Sequence, residues 1–377
     1  MDFSYTEDQE AARELARTIF TDLSTHEHLR EVEATESHFD DKLWAQLAGA
    51  GLLGLPVPEA QGGAGLGFLE SCILAEEVGR SAASVPLVAT LVLGAAPIVA
   101  FGSQALKDRW LPGVVSGSTI LTAALEEPGA DPLEPVTTAR RDGENWVLDG
   151  EKTGVFAGML ADAIVVPARV EGGGIELFVV AADTEGLTRT RQDPTDNRPE
   201  AFVELRGVRV EAEDRLLPSG AVDGGAGILE WLVERAEAAI CVQIAGACKA
   251  AIGITAGYTS ERKQFDKPIA EFQAVGQRAA DAYVDAEAVR LTAWQAAWRL
   301  DAGLPASAEV AIAKFWADDG AQRCVHGCQH LHGGVGVDRD YPVHRYFLMV
   351  KHLSLVLGGT TKSLLRLGSL MAEGPAA

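Results

Sequence analysis

The chain has 377 residues, of which 47% are hydrophobic and 23% charged. That length exceeds what one hydrophobic core usually supports, so we expect two or three domains of an ordinary globular protein. The formal net charge of −22 argues against nucleic acid and against anionic membrane surfaces as partners, because both repel an acidic body.

Helical periodicity dominates the first part of the chain, up to about residue 118. Apolar residues recur at three- and four-residue spacing in EDQEAARELARTIF, DDKLWAQLAGAGLLGL and FLESCILAEEVGRSAA. The uncharged run at residues 82–102 is long enough to span a bilayer, but Pro86, Gly94 and Pro97 interrupt it. We therefore predict a buried helix within an N-terminal α-helical domain, residues 1–118.

The periodicity changes to two between residues 119 and 222, and returns to helical from about residue 225. Runs such as NWVLDGEK, AIVVPARV and AFVELRGVRV, bounded by DG, GGG and Pro turns, predict a central β domain over 119–222. Residues 223–377 hold long, Ala-rich helices that need partners on more than one face. This pattern favours a helical bundle and an oligomer.

The N-terminus and the cysteines together favour a cytoplasmic location. The first residues, MDFSYTEDQEAAR, are acidic and lack the basic-then-apolar order of a signal peptide. The five cysteines are scattered along the chain. A disulfide framework is therefore not expected, and the thiols should be reduced.

The segment CVHGCQHLHGG could be read as a metal site. Cys324, Cys328 and His332 fall on one helical face, with His326 and His330 nearby. Structural zinc sites usually combine two separated ligand pairs, and the sequence has no second Cys/His pair elsewhere. We therefore favour small buried thiols with polar histidines at a helix end, and predict no metal.

Two further segments carry a family resemblance. YTSERKQFDKPIAEFQAV sits at the end of a long helix, and HLHGGVGVDRDYPVHRY opens a turn after another. Together with the helix–β–helix order and the length, they resemble the acyl-CoA dehydrogenase family over the whole chain. The resemblance implies that family's fold: an N-terminal helical domain, a central β-barrel or sandwich domain, and a C-terminal four-helix bundle.

The first of these segments has side chains suited to a nucleotide cofactor. Arg262 offers a fixed fork of donors to a pyrophosphate oxygen, Gln264 a neutral donor and acceptor, and Phe265 a flat apolar surface for a ring. In the family, an Arg-x-Gln-Phe motif reaches across to the FAD of the neighbouring chain. The resemblance therefore implies that these three residues bind a partner's cofactor.

The second segment is rich in glycine. Gly333, Gly334 and Gly336 would let backbone N–H groups approach a cofactor closely, although a helix C-cap would explain HGGVG taken alone. The resemblance implies that this motif also reaches a neighbour's FAD. The Gln that usually begins the motif is His330 here, and we count it among the cofactor-binding residues.

The segments with which family members hold their own flavin have changed. Where the family pattern has a flavin-bonding Thr, this chain reads LEEPGADPLEP and has Glu126, a carboxylate that would face the electron-rich part of a reduced flavin. The usual Trp-Ile-Thr after Gly-x-Lys is Val155, Phe156 and Ala157. We therefore expect this chain's own flavin pocket to be empty.

The family's catalytic base is also missing. Most members place a Glu just before a Gly-Thr near the C-terminus, because dehydrogenation removes a proton α to the thioester carbonyl. In LSLVLGGTTKS that position is Gly358, where we expect an apolar helix to end. Glycine cannot accept a proton, so no catalytic residue is predicted there.

A second position for the base, on the long helix before Arg-x-Gln-Phe, falls on Ala236. Glu234 and Glu237 flank it, but one residue turns a side chain about 100° around a helix. One alternative remains open: a self-sufficient homotetrameric dehydrogenase with Glu237 or Glu234 as base. Another is a flavin-free scaffold that binds acyl-CoA.

The preferred interpretation is a subunit that completes a neighbour's FAD site and lacks its own. It resembles the heterotetrameric acyl-CoA dehydrogenases of sterol-degrading bacteria, and THEHLREVEATESHFDDKLW and HGGVGVDRDYPVHRYFL are closest to their non-catalytic (beta) subunit. The resemblance implies a homologous catalytic partner chain, FAD shared with it, and a steroid side-chain acyl-CoA substrate. It also implies an electron-transfer flavoprotein as acceptor.

Overall fold

A computed structural model describes residues 5–373 of the protein. The ends of the predicted first and last domains, residues 1–4 and 374–377, lie outside the described part. The predicted order of helical, β and helical parts is confirmed, and so is the predicted fold class. The boundaries proposed at 118/119 and 222/223 stay predictions.

The chain divides into two compact units, and several segments alternate between them along the sequence. The first unit contains the described residues up to Ile19, Glu31–Ser71 and Ser84–Ala236. The second contains Phe20–Arg30, Cys72–Ala83 and the described residues from Glu237 onward.

Short polar caps begin several of the helices in the first third of the chain. These helices are α1 (Glu7–Leu23), α2 (His26–Glu33), α3 (Asp41–Gly49), α4 (Phe68–Ser81), α5 (Ala96–Phe101) and α6 (Gln104–Ser116). The Asp40 carboxylate accepts from the Leu43 N–H at 3.0 Å, and the Ser103 hydroxyl accepts from the Leu106 N–H at 3.2 Å. Each cap satisfies a backbone donor that the first helical turn leaves unpaired.

The apolar run after α4 is helical and buried, as predicted. It begins as a π-helical segment, Val88–Ala95, and continues directly into α5. Every residue of the π-helical segment is buried. Gly94 permits close packing there, because a Cβ at this position would lie 2.2 Å from the Leu121 Cβ.

The middle of the chain forms one seven-stranded sheet. Its strands are β1 (Leu121–Ala123), β2 (Thr138–Asp142), β3 (Asn145–Phe156), β4 (Ala163–Val170), β5 (Gly174–Ala181), β6 (Leu187–Gln192) and β7 (Glu200–Val210). The spatial order is β1-β4-β2-β3-β7-β6, with β5 antiparallel to β4. β4 pairs in parallel with both β1 and β2, whereas β2, β3, β7 and β6 form antiparallel pairs.

A buried ion pair lies inside this β region. The Lys152 ammonium is 2.5 Å from Glu127 Oε1 and also donates to the Pro167 carbonyl at 2.8 Å. The side chains of Lys152 and Glu127 are 0% and 1% exposed. Burial lowers the pKa of Lys152 to about 8, against the opposing attraction of Glu127.

Helices return after the sheet. They are α7 (Gly224–Glu261), α8 (Gln273–Asp301), α9 (Ser307–Phe315), α10 (Ala321–His332), α11 (Val343–Leu353) and α12 (Thr360–Glu373). A π-helical turn, Trp316–Gly320, joins α9 to α10, and a hairpin of β8 (Lys263–Gln264) and β9 (Lys267–Pro268) follows α7. Within this part α8 packs on α9 and α10, α10 on α11, and α12 on α9.

Two glycines bring α4 and α7 into close contact within the second unit. A Cβ at Gly79 would lie 1.8 Å from the Gln243 carbonyl oxygen, and one at Gly246 would lie 2.1 Å from the Glu76 carbonyl oxygen. Side chains at these positions would force the helices apart. This contact explains why the end of α4 belongs with the C-terminal helices rather than with its sequence neighbours.

Helix α7 is the one helix in residues 5–373 that is long and apolar enough to cross a bilayer. Most of its apolar stretch is buried within the fold, which is also typical of the core helix of a soluble protein. Length and composition therefore give only weak evidence for a membrane span.

Candidate functional site

The first predicted motif lies just beyond α7 in a tight hairpin. The Arg262 N–H donates to the Tyr258 carbonyl, and the Arg262 carbonyl accepts from the Ile269 N–H, both at 2.8 Å. Phe265 and Asp266 occupy the turn with φ of 53° and 63°. Two successive positive φ values are those of a type I′ hairpin turn, which usually carries Asn or Gly.

The hairpin presents its predicted cofactor-binding side chains to the outside. Arg262 and Gln264 are exposed, and the Phe265 side chain is 88% exposed. The Phe265 ring meets the Phe272 ring edge-on, with 6.1 Å between centroids. Positive φ at two residues that are not glycine strains the backbone, and such strain is concentrated at binding sites, so this geometry suits a surface that is covered by a ligand or another chain.

The second predicted motif begins where α10 ends. Gly333 has φ 61° and ψ −136°, and its N–H donates to the His330 carbonyl. A Cβ at Gly333 or at Gly334 would meet no atom within 4 Å, so backbone here is open to an approaching group. Gly336 is different, because a Cβ there would lie 2.6 Å from the Gln329 carbonyl oxygen. Internal packing alone therefore requires a glycine at 336.

Aromatic side chains hold the two motifs side by side. The Tyr258 ring, one turn before Arg262, stacks on the His332 ring with 4.5 Å between centroids, and Tyr341 packs against both. His332 Nδ1 lies 2.8 Å from the Cys328 carbonyl, so Nδ1 carries the proton. Burial lowers the pKa of His332, which keeps the ring neutral and suited to stacking.

The thiols around this turn are buried. Cys324 and Cys328 are at most 1% exposed, as predicted, and Cys248 is fully buried. Hydrogen bonding to Cys248 raises the pKa of Cys324, and hydrogen bonding to Cys324 raises that of Cys328. In the described residues no group of three or more His, Cys, Asp and Glu is placed to hold a metal ion.

The β segment aligned with the family's own-flavin contacts has its donors already engaged. The Thr153 N–H donates to the Glu126 carbonyl at 3.0 Å, and the Gly154 N–H donates to Gln192 Oε1 at 2.9 Å. A Cβ at Gly154 would lie 3.6 Å from Glu126 Oε2 and 4.0 Å from Glu200 Oε2. This edge therefore offers carboxylates and used hydrogen-bond donors, a poor fit to flavin carbonyls and ring nitrogens.

The neighbouring replacements are part of the internal packing. Val155 is 1% exposed, and the Phe156 carbonyl accepts a 2.6 Å hydrogen bond from the Thr122 hydroxyl. Ala157 is 7% exposed and has φ 52°. None of the three brings a side-chain donor or acceptor to a ligand.

Gly358 is exposed and lies in the turn before α12. It has φ 142°, and a Cβ there would lie 2.6 Å from the Lys362 Cδ. The preceding helix, α11, ends at Leu353, so the apolar residues before Gly358 are in a turn and the predicted helix end is too late. The turn is set by positive φ at Leu357, Gly358 and Gly359.

The other candidate base position is apolar and buried. Ala236 is 0% exposed. Its neighbour Glu237 accepts a 2.8 Å hydrogen bond from Arg366 of α12, and the Glu237 side chain is 8% exposed. Glu234 is also buried. The Glu237 carboxylate is thus already engaged by Arg366 within the fold, which counts against its recruitment as a base.

A second buried network near α12 was not predicted. Lys314 Nζ is 2.5 Å from Asp318 Oδ1, and the Ser363 hydroxyl donates to Asp318 Oδ2 at 3.1 Å. Burial raises the pKa of Asp318 to about 6, although Lys314 opposes that rise. The i,i+4 spacing of Lys314 and Asp318 was visible in the sequence. The sequence did not indicate that the two side chains are buried or that Ser363 donates to Asp318.

Three family models match the chain in order. They are the acyl-CoA dehydrogenase N-terminal domain over residues 6–118, the middle domain over 122–208 and the C-terminal domain over 223–368. Together they extend over most of the sequence.

Individual relatives agree with these matches. The chain is 39% identical to acyl-CoA dehydrogenase FadE27 of Mycobacterium tuberculosis, with 100% of both chains covered. It is similar to a chain of the ChsE4-ChsE5 complex from Mycobacterium tuberculosis, with 40% identity, a TM-score of 0.93 and 100% of both chains covered. A chain of a variant of the Tcur3481-Tcur3483 steroid ACAD is 44% identical, with a TM-score of 0.91 and coverage of 98% and 99%. The protein therefore belongs to the acyl-CoA dehydrogenase family.

Proposed function

We propose that this chain is the non-catalytic (beta) subunit of a heterotetrameric, FAD-dependent acyl-CoA dehydrogenase. The enzyme would introduce an α,β double bond into a steroid side-chain CoA thioester. The observation that carries the proposal is a contrast within the chain: Arg262, Phe265 and Gly334 are open to a partner, whereas the backbone donors at Thr153 and Gly154 are already used.

The chemistry of the reaction divides naturally between two chains. Dehydrogenation needs a base at the α carbon and a hydride acceptor at the β carbon, and bound FAD supplies the acceptor. In this chain Gly358 and Ala236 stand where family members have the base. Its contribution is to bind and orient: a guanidinium for phosphate, an aromatic face, and exposed backbone at Gly334. The base should then belong to the partner.

The relatives support the heteromeric and steroid parts of the proposal. One similar solved structure is the ChsE4-ChsE5 complex, and another is a variant of the Tcur3481-Tcur3483 steroid ACAD. By analogy we propose a homologous catalytic subunit as partner, a steroid side-chain acyl-CoA as substrate and an electron-transfer flavoprotein as acceptor. We further propose a cytoplasmic location, without nucleic-acid or membrane partners.

The test is dehydrogenase activity with and without the catalytic partner. Coexpression should yield a complex that oxidises a steroid side-chain acyl-CoA, and this chain alone should be inactive. Glu237→Gln in this chain should leave the activity of the complex unchanged, because Glu237 is paired with Arg366. An active chain on its own, inactivated by Glu237→Gln, would establish the self-sufficient enzyme instead.

Arg262→Ala separates the proposal from a flavin-free scaffold. If this chain completes the partner's FAD site, the substitution should lower flavin retention by the complex. A scaffold that only binds acyl-CoA should retain whatever flavin its partner holds, because Arg262 would then contact no cofactor.

A further inference from the structure

A cavity of about 450 Å³ lies between α8 and α10. Beside Ala282, Val284 and Gly327, its lining includes five polar side chains: Arg278, Asp281, Asp285, Arg323 and His326. Neither family-based motif includes these five residues. The cavity belongs wholly to the second compact unit.

The two arginines that line this cavity differ in whether a carboxylate of the chain pairs with them. Arg323 binds both carboxylate oxygens of Asp285, at 3.1 Å and 2.7 Å, and also contacts Asp319. That arginine is therefore satisfied within the chain. Among the described residues no carboxylate lies within ion-pair distance of Arg278, although Asp281 follows it by one turn on α8.

Arg278 faces another nitrogen instead of an acid. Its Nη2 lies 3.5 Å from His330 Nδ1, and both side chains are exposed. His330 stands in the last turn of α10, three residues before Gly333. Because a guanidinium only donates, His330 Nδ1 accepts from Arg278 in this contact. The other guanidinium N–H groups and the imidazole Nε2–H then remain as donors for an oxyanion.

We propose that Arg278, together with His330, contacts a phosphate of the FAD that this chain shares with its partner. The inference rests on the proposed function and adds a residue that the Arg-x-Gln-Phe and Gly-Gly motifs do not contain. Asp281 fits the same ligand, because a carboxylate beside a phosphate site can accept hydrogen bonds from ribose hydroxyl groups. The phosphate would lie at the edge of the cavity, because Arg278 and Asp281 line it and His330 does not.

The test is FAD affinity of the assembled two-chain complex, measured by flavin fluorescence after removal and readdition of FAD. Arg278→Gln should weaken FAD binding about tenfold, because a hydrogen bond from a charged donor is lost. It should also make the affinity less dependent on salt. Arg278→Lys, which keeps the charge, should restore part of the affinity.

Arg290→Gln is the matched control. Arg290 lies on the same helix, about 18 Å further along, and pairs with Glu287 of that helix. It should bind FAD like the wild type. Equal losses for Arg278→Gln and Arg290→Gln would overturn the inference, because a general charge effect would explain both.

The variant Arg262→Gln distinguishes an error in this inference from an error in the proposed function. If Arg262→Gln weakens FAD binding and Arg278→Gln stays within twofold of the wild type, Arg278 has no role and the subunit assignment stands. If neither substitution changes FAD binding, the proposed sharing of the cofactor is wrong as well.

Discussion

Two regions of this chain correspond to flavin-contacting segments of the acyl-CoA dehydrogenase family, and their hydrogen bonding differs. Around Arg262 and Gly334 the side chains and backbone are open. Around Thr153 and Gly154 the backbone donors pair with Glu126 and Gln192 of the same region. The comparison teaches that one chain can leave the backbone and side chains of one motif exposed while it engages the donors of another in internal hydrogen bonds.

The largest expected effect lies in the β region, at its buried ion pair. Glu127→Gln leaves the Lys152 ammonium buried without a counter-charge, so the unfolding free energy should fall by about 3–5 kcal/mol. Urea denaturation of the isolated chain measures this loss. Exposed Glu134→Gln is the control and should change stability by less than about 0.5 kcal/mol.

The same variant makes a prediction about pH. Because burial lowers the pKa of Lys152 to about 8, the folded state binds fewer protons than the unfolded state between that value and the ordinary lysine pKa. Stability from this group therefore rises with pH in that window. The Glu127→Gln variant lacks the attraction that opposes this fall in pKa, so its Lys152 should lose the proton below pH 8, and its stability deficit should shrink as the pH rises towards 8 and then stay level. A deficit that is constant from about pH 6 to pH 8 would show that the loss is not due to the buried charge.

The next largest effect should be at the open region. Arg262→Ala should weaken FAD binding by the two-chain complex by about 10- to 100-fold, the range for a lost hydrogen bond from a charged group. The Tm of the isolated chain should not change, because Arg262 is exposed. Lys263→Ala, the adjacent exposed cation, is the control. Equal effects of both substitutions would mean that only net charge matters at this hairpin.

The two adjacent glycines allow folding and binding to be separated. Gly333→Ala should cost about 1–3 kcal/mol of stability in the isolated chain, because φ 61° with ψ −136° is a conformation that an alanine rarely adopts. Gly334 has no such φ and open space around it, so Gly334→Ala should leave the Tm unchanged and weaken FAD binding by the complex. Unchanged FAD binding with Gly334→Ala would remove the backbone at 334 from the proposed site.

The smallest expected effect is from restoring one family residue in the β region. Glu126→Thr should not make the isolated chain bind flavin, because Gln192 still occupies the Gly154 N–H and Val155 remains in the core. The visible absorption spectrum of the purified variant tests this. A yellow variant would show that Glu126 alone keeps the flavin out.

Much of this contrast could be predicted from the sequence, because it depends on residue identity. Gly358, Ala236 and Glu126 are changes of chemical type at positions that the family motifs define. The order of helical and β parts followed from periodicity. Strands β2 and β6 were missed, since their residues, TARRD and LTRTRQ, are too polar to alternate clearly.

Contacts between distant residues could not be predicted in this way. Arg366 pairs with Glu237 across 129 residues, and Arg278 approaches His330 across 52. The close approach of Lys362 to Gly358 depends on the positive φ values of a turn, and the periodicity placed the preceding helix end too late. The motifs thus indicated which family residues each region lacks. The structure shows which contacts within the chain take their place.

The flavin-to-protein ratio tests the central claim most directly. It should be measured by absorbance on this chain purified alone and on the complex with its catalytic partner. We predict a colourless chain alone and a complex with about one flavin for every two chains, as expected for a symmetric assembly of two kinds of subunit. A chain that is yellow on its own, with one flavin per chain, would contradict the account.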